Sequence, residues 1–135
     1  MKVTSKARYA LYLMLDVARH EGAGPVPLRE VSLRQDISLK YLEQIASHLS
    51  KLGYLESVRG AQGGYLLARS TRDISAGDIM RAAEGEFVSV ACLEQAGAVC
   101  PRQSGSCNIA AFWQGLSDSI DAYADKVSLE ELAKN

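Results

Sequence analysis

The sequence ISLKYLEQIASHLSKLGYLESVRGAQGGYLLA, residues 37–68, predicts a helix, a sharp reversal and a two-stranded ribbon. Ser38 is suited to cap the helix, because its hydroxyl can accept a hydrogen bond from an amide of the first turn. Gly53 ends the helix where the chain needs a left-handed residue. The apolar residues between them recur three and four positions apart, the spacing of one buried helical face, at Leu39, Leu42, Ala46, Leu49 and Leu52.

The ribbon is predicted from two strand-like runs, 55–58 and 65–68, and from the connection between them. This connection contains three glycines, which permit positive φ angles in a tight tip. Arg59 and Gln62 belong to the same tip. The segment therefore predicts a hairpin that carries a cation at its end.

The face of the predicted helix opposite the apolar stripe is polar, and this face suits DNA. In the major groove a glutamine can pair with adenine and a glutamate can accept a hydrogen bond from cytosine. An arginine at the tip of a ribbon can enter a minor groove. Taken alone, residues 37–68 fit an ordinary surface helix and hairpin equally well.

Two shorter helices are predicted before this segment. The first runs from a cap at Thr4 or Ser5 to about His20, and the second opens with Pro27 as its first helical residue. Lys6 lies in the first turn of the first helix, where the helix dipole disfavours a cation, so it fits either a phosphate contact or solvated surface. The second of these helices, from about Pro27 to Gln35, and the polar-faced helix after Ile37 together predict a helix-turn-helix, and the ribbon that follows makes it a winged helix.

The second half of the chain predicts a capping box and a long helix. Ser75 and Asp78 have the spacing of a capping box before a short helix that ends near Glu84. The long helix, from about 108 to 126, has a stripe that is bulkier than one neighbouring surface requires, although packing on its own domain is the alternative. We predict a homodimer interface at Ile109, Phe112, Trp113, Leu116 and Ile120.

Composition and charge favour a cytoplasmic DNA-binding protein over an enzyme. The chain is 47% hydrophobic and 23% charged, and no apolar run is long enough to cross a bilayer. Residues 1–69 hold ten basic and six acidic side chains, whereas residues 70–135 hold five and ten, so only the first half is expected to meet phosphate. No catalytic arrangement of residues is visible in the sequence, so we expect no enzymatic activity.

Three segments together resemble one known family. The opening MKVTSKARYALYLMLDVA, the central ISLKYLEQIASHLSKLGYLESVRGAQGGYLLAR and the ISAGDIMRA segment are similar to the Rrf-two-type winged-helix transcriptional regulators, typified by the iron–sulfur cluster regulator IscR, with relatives NsrR and CymR. The resemblance covers nearly the whole chain. It implies a mainly α protein with a small β wing, which binds DNA as a dimer through a long C-terminal dimerisation helix.

The resemblance also implies which residues contact DNA. Tyr41, Glu43 and Gln44 match recognition-helix residues of the family, and Arg59 matches its wing arginine. Lys40 stands where IscR-like proteins have a small polar residue, which changes the expected sequence preference. The full set of expected DNA-binding residues is Lys6, Ser38, Lys40, Tyr41, Glu43, Gln44, Arg59 and Gln62.

The three cysteines, Cys92, Cys100 and Cys107, match the cluster-binding segment of this family but have longer spacings. The resemblance implies that they bind an iron–sulfur cluster of undetermined type, because thiolates are its usual ligands. The fourth ligand is unassigned, since Ala110 replaces the histidine of IscR-like proteins and Arg8 replaces the aspartate of NsrR-like proteins. Thiol-based redox sensing, structural zinc and cysteines without a ligand are the alternatives.

The expected function is a homodimeric transcriptional regulator, a repressor, that binds a palindrome-like double-stranded DNA operator with an affinity set by the cluster. A cluster-free thiol regulator and a protein-binding module of the same fold are the alternatives. We expect a winged helix-turn-helix domain over residues 1–70, a short helix and cysteine loop over 71–107, and a dimerisation helix and C-terminal tail over 108–135.

Overall fold

A computed structural model describes residues 2–87 and 109–134. These residues form helices, joined in part by short 3-10 turns, and one two-stranded antiparallel sheet. The predicted class, mainly α with a small β wing, is confirmed. In chain order the elements are α1 (Ser5–His20), α2 (Leu28–Gln35), α3 (Leu39–Lys51), β1 (Leu55–Val58), β2 (Gly64–Leu67), α4 (Ala76–Glu84), α5 (Ala110–Lys126) and α6 (Leu129–Lys134).

Helices α2 and α3 form the predicted helix-turn-helix, with small corrections. Pro27 is the N-cap of α2 and not its first helical residue. Ser38 caps α3 as predicted, since its side chain accepts a hydrogen bond from the backbone N–H of Tyr41. The expected burial of Leu39 and Leu52 is wrong, because these residues at the two ends of the helix are exposed. The buried face of α3 is Leu42, Ile45, Ala46 and Leu49.

The wing is held to the body of the protein at its second strand. β1 and β2 pair in register from Leu55 opposite Leu67 to Val58 opposite Gly64, so β2 begins one residue earlier than predicted. Two backbone hydrogen bonds of 2.9 Å join Tyr65 to Val26, the residue before the cap of α2. These bonds fix the wing beside the helix-turn-helix.

The hydrophobic core joins the helix-turn-helix and the wing to the helices that follow. Ile74 just before α4, Ile79 of α4 and Leu129 of α6 are buried in the same cluster as Leu13 of α1 and Leu42 of α3. The predicted capping box of α4 is present, with both reciprocal hydrogen bonds between Ser75 and Asp78. The predicted domain boundaries at residues 70 and 107 stay predictions.

Helix α5 extends from this core, and its predicted end at Lys126 is confirmed. Its described part begins at Ala110, and the predicted start at residue 108 falls outside the described residues. Within residues 2–87 and 109–134, no helix combines the length and the apolarity needed to span a bilayer.

Candidate nucleic-acid interface

Helix α3 presents a continuous polar surface opposite its buried face. Lys40, Glu43, Gln44 and Ser47 are all exposed on it. The apolar stripe anchors the helix, so these side chains project away from the core. This is the arrangement required of a helix whose side chains contact base edges in a major groove.

Five of the eight predicted DNA-binding residues lie together. They line one open groove of about 540 Å³, to which α1 contributes a lysine and α3 contributes the rest: Lys6, Lys40, Tyr41, Glu43 and Gln44. Lys6, which is predicted to contact DNA, thus lies on α1, beside α3. A cation at this place can pair with phosphate while the helix meets the bases.

Two tyrosines of α1 support the recognition helix. The ring of Tyr9 meets the ring of Tyr41 edge to face, with 5.6 Å between the ring centroids. Tyr12 lies behind Tyr9 at 6.4 Å. Edge-to-face contact is a favoured arrangement of aromatic rings. The half-buried Tyr41 is therefore held in place by α1, and the sequence analysis had no signal for this contact.

Six of the eight predicted DNA-binding side chains form no polar contact within the described residues, whereas Ser38 caps α3 and Tyr41 packs against Tyr9. Among the described residues, no side-chain hydrogen bond or ion pair involves Lys6, Lys40, Glu43, Gln44, Arg59 or Gln62. Arg34 and Arg81, in contrast, are bound to carboxylates. The charges on the α3 face are therefore available to an external partner, and no internal ion pair has to be broken first.

Arg59 and Gln62 lie at the exposed tip of the wing, separate from the α3 groove. The tip turns tightly. Gly60 has φ of 117°, and a Cβ on Gly63 would lie 3.0 Å from the carbonyl oxygen of Gly60 and would overlap the backbone of Val58. The glycines thus permit the close turn that carries Arg59, as the sequence predicted.

A buried carboxylate that the sequence analysis missed fixes α2 against α1. Asp16 of α1 is 2% exposed, and it accepts hydrogen bonds from Nε and Nη2 of Arg34 at 3.1 and 2.6 Å and from Nε2 of Gln35 at 2.9 Å. Burial alone would raise the pKa of Asp16. The hydrogen bonds from Arg34 and Gln35, with the charges of Arg34 and His20, outweigh it and lower the pKa below 3.8.

The turn between α2 and α3 is fixed in the same region. Asp36 ends α2 in the left-handed conformation, with φ of 53°. The hydroxyl of Ser32 donates to the carbonyl of Ile37 at 2.5 Å, and the N–H of Ile37 donates to the carbonyl of Ser32 at 3.3 Å. The Ser32–Ile37 hydrogen bonds and the conformation of Asp36 therefore fix the turn from α2 to α3, while Asp16 fixes α2 against α1.

The predicted metal ligands Cys92, Cys100 and Cys107 lie outside the described residues. Within the described residues, no group of three or more histidine, cysteine, aspartate or glutamate side chains could hold a metal ion. Ala110 is the first residue of α5, and Arg8 is exposed on α1. Neither position supplies a metal ligand.

The predicted dimer residues lie along α5 and are largely exposed in the single chain. Phe112 is 60% exposed, Ile109 is 54% exposed and Leu116 is 36% exposed. Trp113 is half-buried and its ring meets that of Phe112 at 5.0 Å. Ile120 lines an apolar groove of about 440 Å³ whose other walls include Leu11, Met80, Phe87, Tyr123 and Leu132.

A family model covers almost the entire chain. The family described as Rrf2, iron-dependent transcriptional regulator, matches residues 3–135. The chain belongs to this family. The exposed polar helix and the wing are therefore parts of an Rrf2 winged-helix regulator.

Curated relatives of this Rrf2 protein include the HTH-type transcriptional regulators IscR. The IscR of Xenorhabdus nematophila is 45% identical over 136 residues, which are all of this chain and 80% of that protein. The IscR of Escherichia coli is 43% identical over 136 residues, which are all of this chain and 82% of that protein. The protein is an IscR-type transcriptional regulator that binds DNA, and its relatives are regulators rather than enzymes.

Solved structures of Rrf2 proteins have the same fold. CymR (YrzC), the global cysteine regulator of B. subtilis, superposes with a TM-score of 0.81 at 33% identity, covering 99% of this chain and 97% of that one. T. potens IscR superposes with a TM-score of 0.80 at 37% identity, covering 99% of this chain and 87% of that one. The likeness therefore extends over the DNA-binding elements and the helices that follow.

Proposed function

We propose that this Rrf2 protein is a homodimeric repressor that binds a palindrome-like operator through α3, Lys6 and the wing tip. The observation that carries the proposal is the uncommitted polar face of α3, flanked by a lysine of α1. Glu43 and Gln44 provide base-edge recognition, and Lys6, Lys40 and Arg59 provide cations for phosphate or a minor groove. The protein acts in the cytoplasm, where it meets DNA.

The exposed apolar stripe of α5 supports the homodimer. A single chain leaves Phe112, Ile109 and Tyr123 largely in contact with water, and Tyr123 also lines the apolar groove. A contiguous apolar surface of this kind is usually covered by another protein surface. A second copy of α5, related by a two-fold axis, covers both stripes at once.

DNA binding is tested with operators selected in vitro by the wild-type protein. Arg59→Ala should weaken binding about tenfold or more, the size of a lost arginine contact. Glu43→Ala should relax sequence preference more than it lowers affinity, because Glu43 accepts hydrogen bonds from a base but repels phosphate. Wild-type affinity should fall steeply as salt rises.

The matched control is Lys134→Ala, which removes one exposed cation from α6, away from the α3 groove. This variant should bind like the wild type at the same salt concentration. If Arg59→Ala and Glu43→Ala both match Lys134→Ala in affinity and in sequence preference, the proposed docking through α3 and the wing is wrong.

We propose further that Cys92, Cys100 and Cys107 bind an iron–sulfur cluster that controls DNA affinity. The family is described as iron-dependent, and thiolate is the ligand type that such clusters use. The donor set therefore fits a cluster, with one coordination position left to a ligand outside these three residues. When bound, the cluster supplies a centre that oxygen or nitric oxide can alter.

Anaerobic reconstitution with iron and sulfide tests the cluster. The wild type should become brown and each of Cys92→Ala, Cys100→Ala and Cys107→Ala should stay colourless, while α-helical content remains unchanged. Each cysteine variant should also change DNA affinity or operator choice. A colourless wild type would rule out the cluster, and one zinc per chain would identify a structural metal instead.

A cluster-free thiol sensor is the second candidate, and one observation favours it. Ala110 at the start of α5 has no donor atom in its side chain, so this chain lacks the histidine expected at that position. Thiolates that bind no metal oxidise reversibly. If the reconstituted protein is colourless, DNA affinity should still change between reduced and mildly oxidised protein, and the cysteine variants should lose this change.

A further inference from the structure

Helix α5 is attached to the rest of the described structure mainly by its C-terminal half. Ala124 is buried, whereas Phe112 near the other end is among the most exposed apolar residues. The chain just after α5 forms a bridge with the chain just before α4, through the hydrogen bonds Ala76 N–H to Val127 O and Leu129 N–H to Ile74 O, both 2.8 Å. The end of α5 is therefore fixed to the beginning of α4.

A second attachment lies further along α4, at Arg81. Its Nη1 donates to Asp121 at 3.1 Å, and its Nη2 donates to Asp125, one turn further along α5. Asp78 of α4 lies 3.7 Å from the same guanidinium group. A planar guanidinium can bind two carboxylates at once, which the single ammonium group of a lysine cannot do with the same geometry. Arg81 therefore determines the orientation of α5 about the first attachment.

Helices α4 and α5 approach each other closely at Gly77. A Cβ on Gly77 of α4 would overlap the carboxylate of Asp125 and would lie 3.0 Å from Nη2 of Arg81 and 3.2 Å from the carbonyl carbon of Ala124. The absence of a side chain at Gly77 thus permits the close approach that places Arg81 within reach of α5. Gly77 and the ion pairs of Arg81 therefore belong to one contact between α4 and α5.

The Arg81 group is charged and partly shielded from solvent. Its side chain is 26% exposed. Burial alone would lower the pKa of Arg81, but the hydrogen bond to Asp125 and the charges of Asp125, Asp121 and Asp78 outweigh it and raise the pKa above its ordinary value. Asp125 is 47% exposed, so the group is only partly shielded, and its role rests on the geometry of its two bonds to α5 rather than on their strength.

We propose that Arg81 is a positioning residue that sets the half-site spacing of the operator, by fixing the angle between α5 and the DNA-binding elements. The inference rests on the proposed homodimer. The 17 residues of α5 span about 25 Å at 1.5 Å per residue. A rotation of about 10° at the attachment moves the far end by about 4 Å, close to one base-pair step.

The test measures Arg81→Gln on operators whose two half-sites are moved apart or together by one or two base pairs. The wild type should prefer one spacing by about tenfold or more, and Arg81→Gln should reduce that preference to about twofold. The variant should keep the wild-type affinity for an isolated half-site. Asp121→Asn combined with Asp125→Asn should have the same effect, and adding Arg81→Gln to this pair should change nothing further.

The matched control is Arg72→Gln. Arg72 forms an ion pair of 3.2 Å with Glu130, nearly the same length as the bond from Arg81 to Asp121, but this pair does not join α4 to α5. The control should keep the wild-type spacing preference. If Arg81→Gln folds poorly, Arg81→Lys retains the charge with one carboxylate contact, and its spacing preference should be intermediate.

An unchanged spacing preference in a folded Arg81→Gln or Arg81→Lys dimer would overturn the proposal and leave the proposed function standing. A wild-type protein that is monomeric, or that binds a half-site as tightly as any full operator, would overturn both. The wild-type measurement thus separates a failure of the Arg81 inference from a failure of the homodimer.

Discussion

Asp16 and Arg34 form a two-point contact between α1 and α2, in which Nη2 and Nε of the guanidinium donate to the two carboxylate oxygens at 2.6 and 3.1 Å. The carboxylate side chain is fully buried, whereas a third of the arginine side chain is exposed. Because one guanidinium forms two hydrogen bonds to one carboxylate, this contact restricts both the distance and the rotation between α1 and α2. Because α3 follows α2 after a short fixed turn, this contact also orients the recognition helix.

Asp16→Asn should destabilise the protein by about 2 kcal/mol, the scale of hydrogen bonds to a charged group. The amide has the same shape but directs an N–H group at donors of Arg34 or Gln35. Urea unfolding measures the loss. Asp118→Asn is the control, since Asp118 is an exposed residue of α5 whose one partner among the described residues is Gln114, and it should change stability by less than about 0.5 kcal/mol. Equal effects of the two variants would contradict the role of Asp16.

The same contact predicts a loss of stability in acid. The pKa of Asp16 is lower in the folded protein than its ordinary value of 3.8. The unfolded chain therefore binds a proton more readily, and the stabilising contribution is complete above about pH 4 and falls as the pH drops through the folded pKa. Unfolding free energies of the wild type and Asp16→Asn, measured from pH 7 to pH 2.5, should differ most near neutrality and converge in acid. If the difference in unfolding free energy between the two proteins grew as the pH fell, it would contradict a lowered pKa of Asp16 in the folded protein.

Local features of the winged helix could be predicted from the sequence because single residues determine them. Ser38 and Ser75 are capping residues by their own chemistry, and Gly53 has φ of 84°, as a helix-ending glycine requires. Asp16 could not be predicted in the same way, since its burial depends on two donors that lie 18 and 19 residues away. Its one local signal is its position next to Val17 and three residues after Leu13, on the buried side of α1.

The sequence did not reveal how the predicted DNA-binding residues are brought together, or which residues Arg81 contacts. Lys6 could be assigned to the α3 groove only after α1 and α3 were seen to meet, although its position in the first turn was a hint. Arg81 was not singled out, because its partners Asp121 and Asp125 are 40 and 44 residues distant. Contacts between elements depend on how the elements pack, and periodicity within one helix carries no information about that.

Gly64→Ala should displace the wing. A Cβ at this position would lie 2.5 Å from the carbonyl oxygen of Val26 and 2.7 Å from the nitrogen of Pro27, so the two hydrogen bonds between Val26 and Tyr65 could not form as they do now. We expect a loss of about 2 kcal/mol and a melting temperature lower by about 5 °C. DNA affinity should fall as well, because Arg59 is carried by the same hairpin.

Gly22→Ala is the matched control for the wing, since a Cβ there meets no atom within 4 Å. Its melting temperature and DNA affinity should equal those of the wild type. Calorimetry and fluorescence anisotropy measure the two quantities. A Gly64→Ala protein that melts and binds like Gly22→Ala would show that the contact between the wing and Val26 contributes nothing to either property.

Leu116→Asp combined with Ile120→Asp should give monomers or insoluble protein. The two substitutions place charges in the apolar stripe of α5, and burying an unpaired carboxylate in an interface costs several kcal/mol. Sedimentation measures the assembly state.

Leu116→Asp alone distinguishes lost assembly from lost folding, because Ile120 also lines the groove against α4 within its own chain. This single variant should stay folded and still shift the equilibrium toward monomer. Gln114→Asp combined with Ala122→Asp adds the same charge at exposed positions of the same helix, and it should remain dimeric. An intact dimer of the Leu116→Asp, Ile120→Asp variant would place the interface elsewhere.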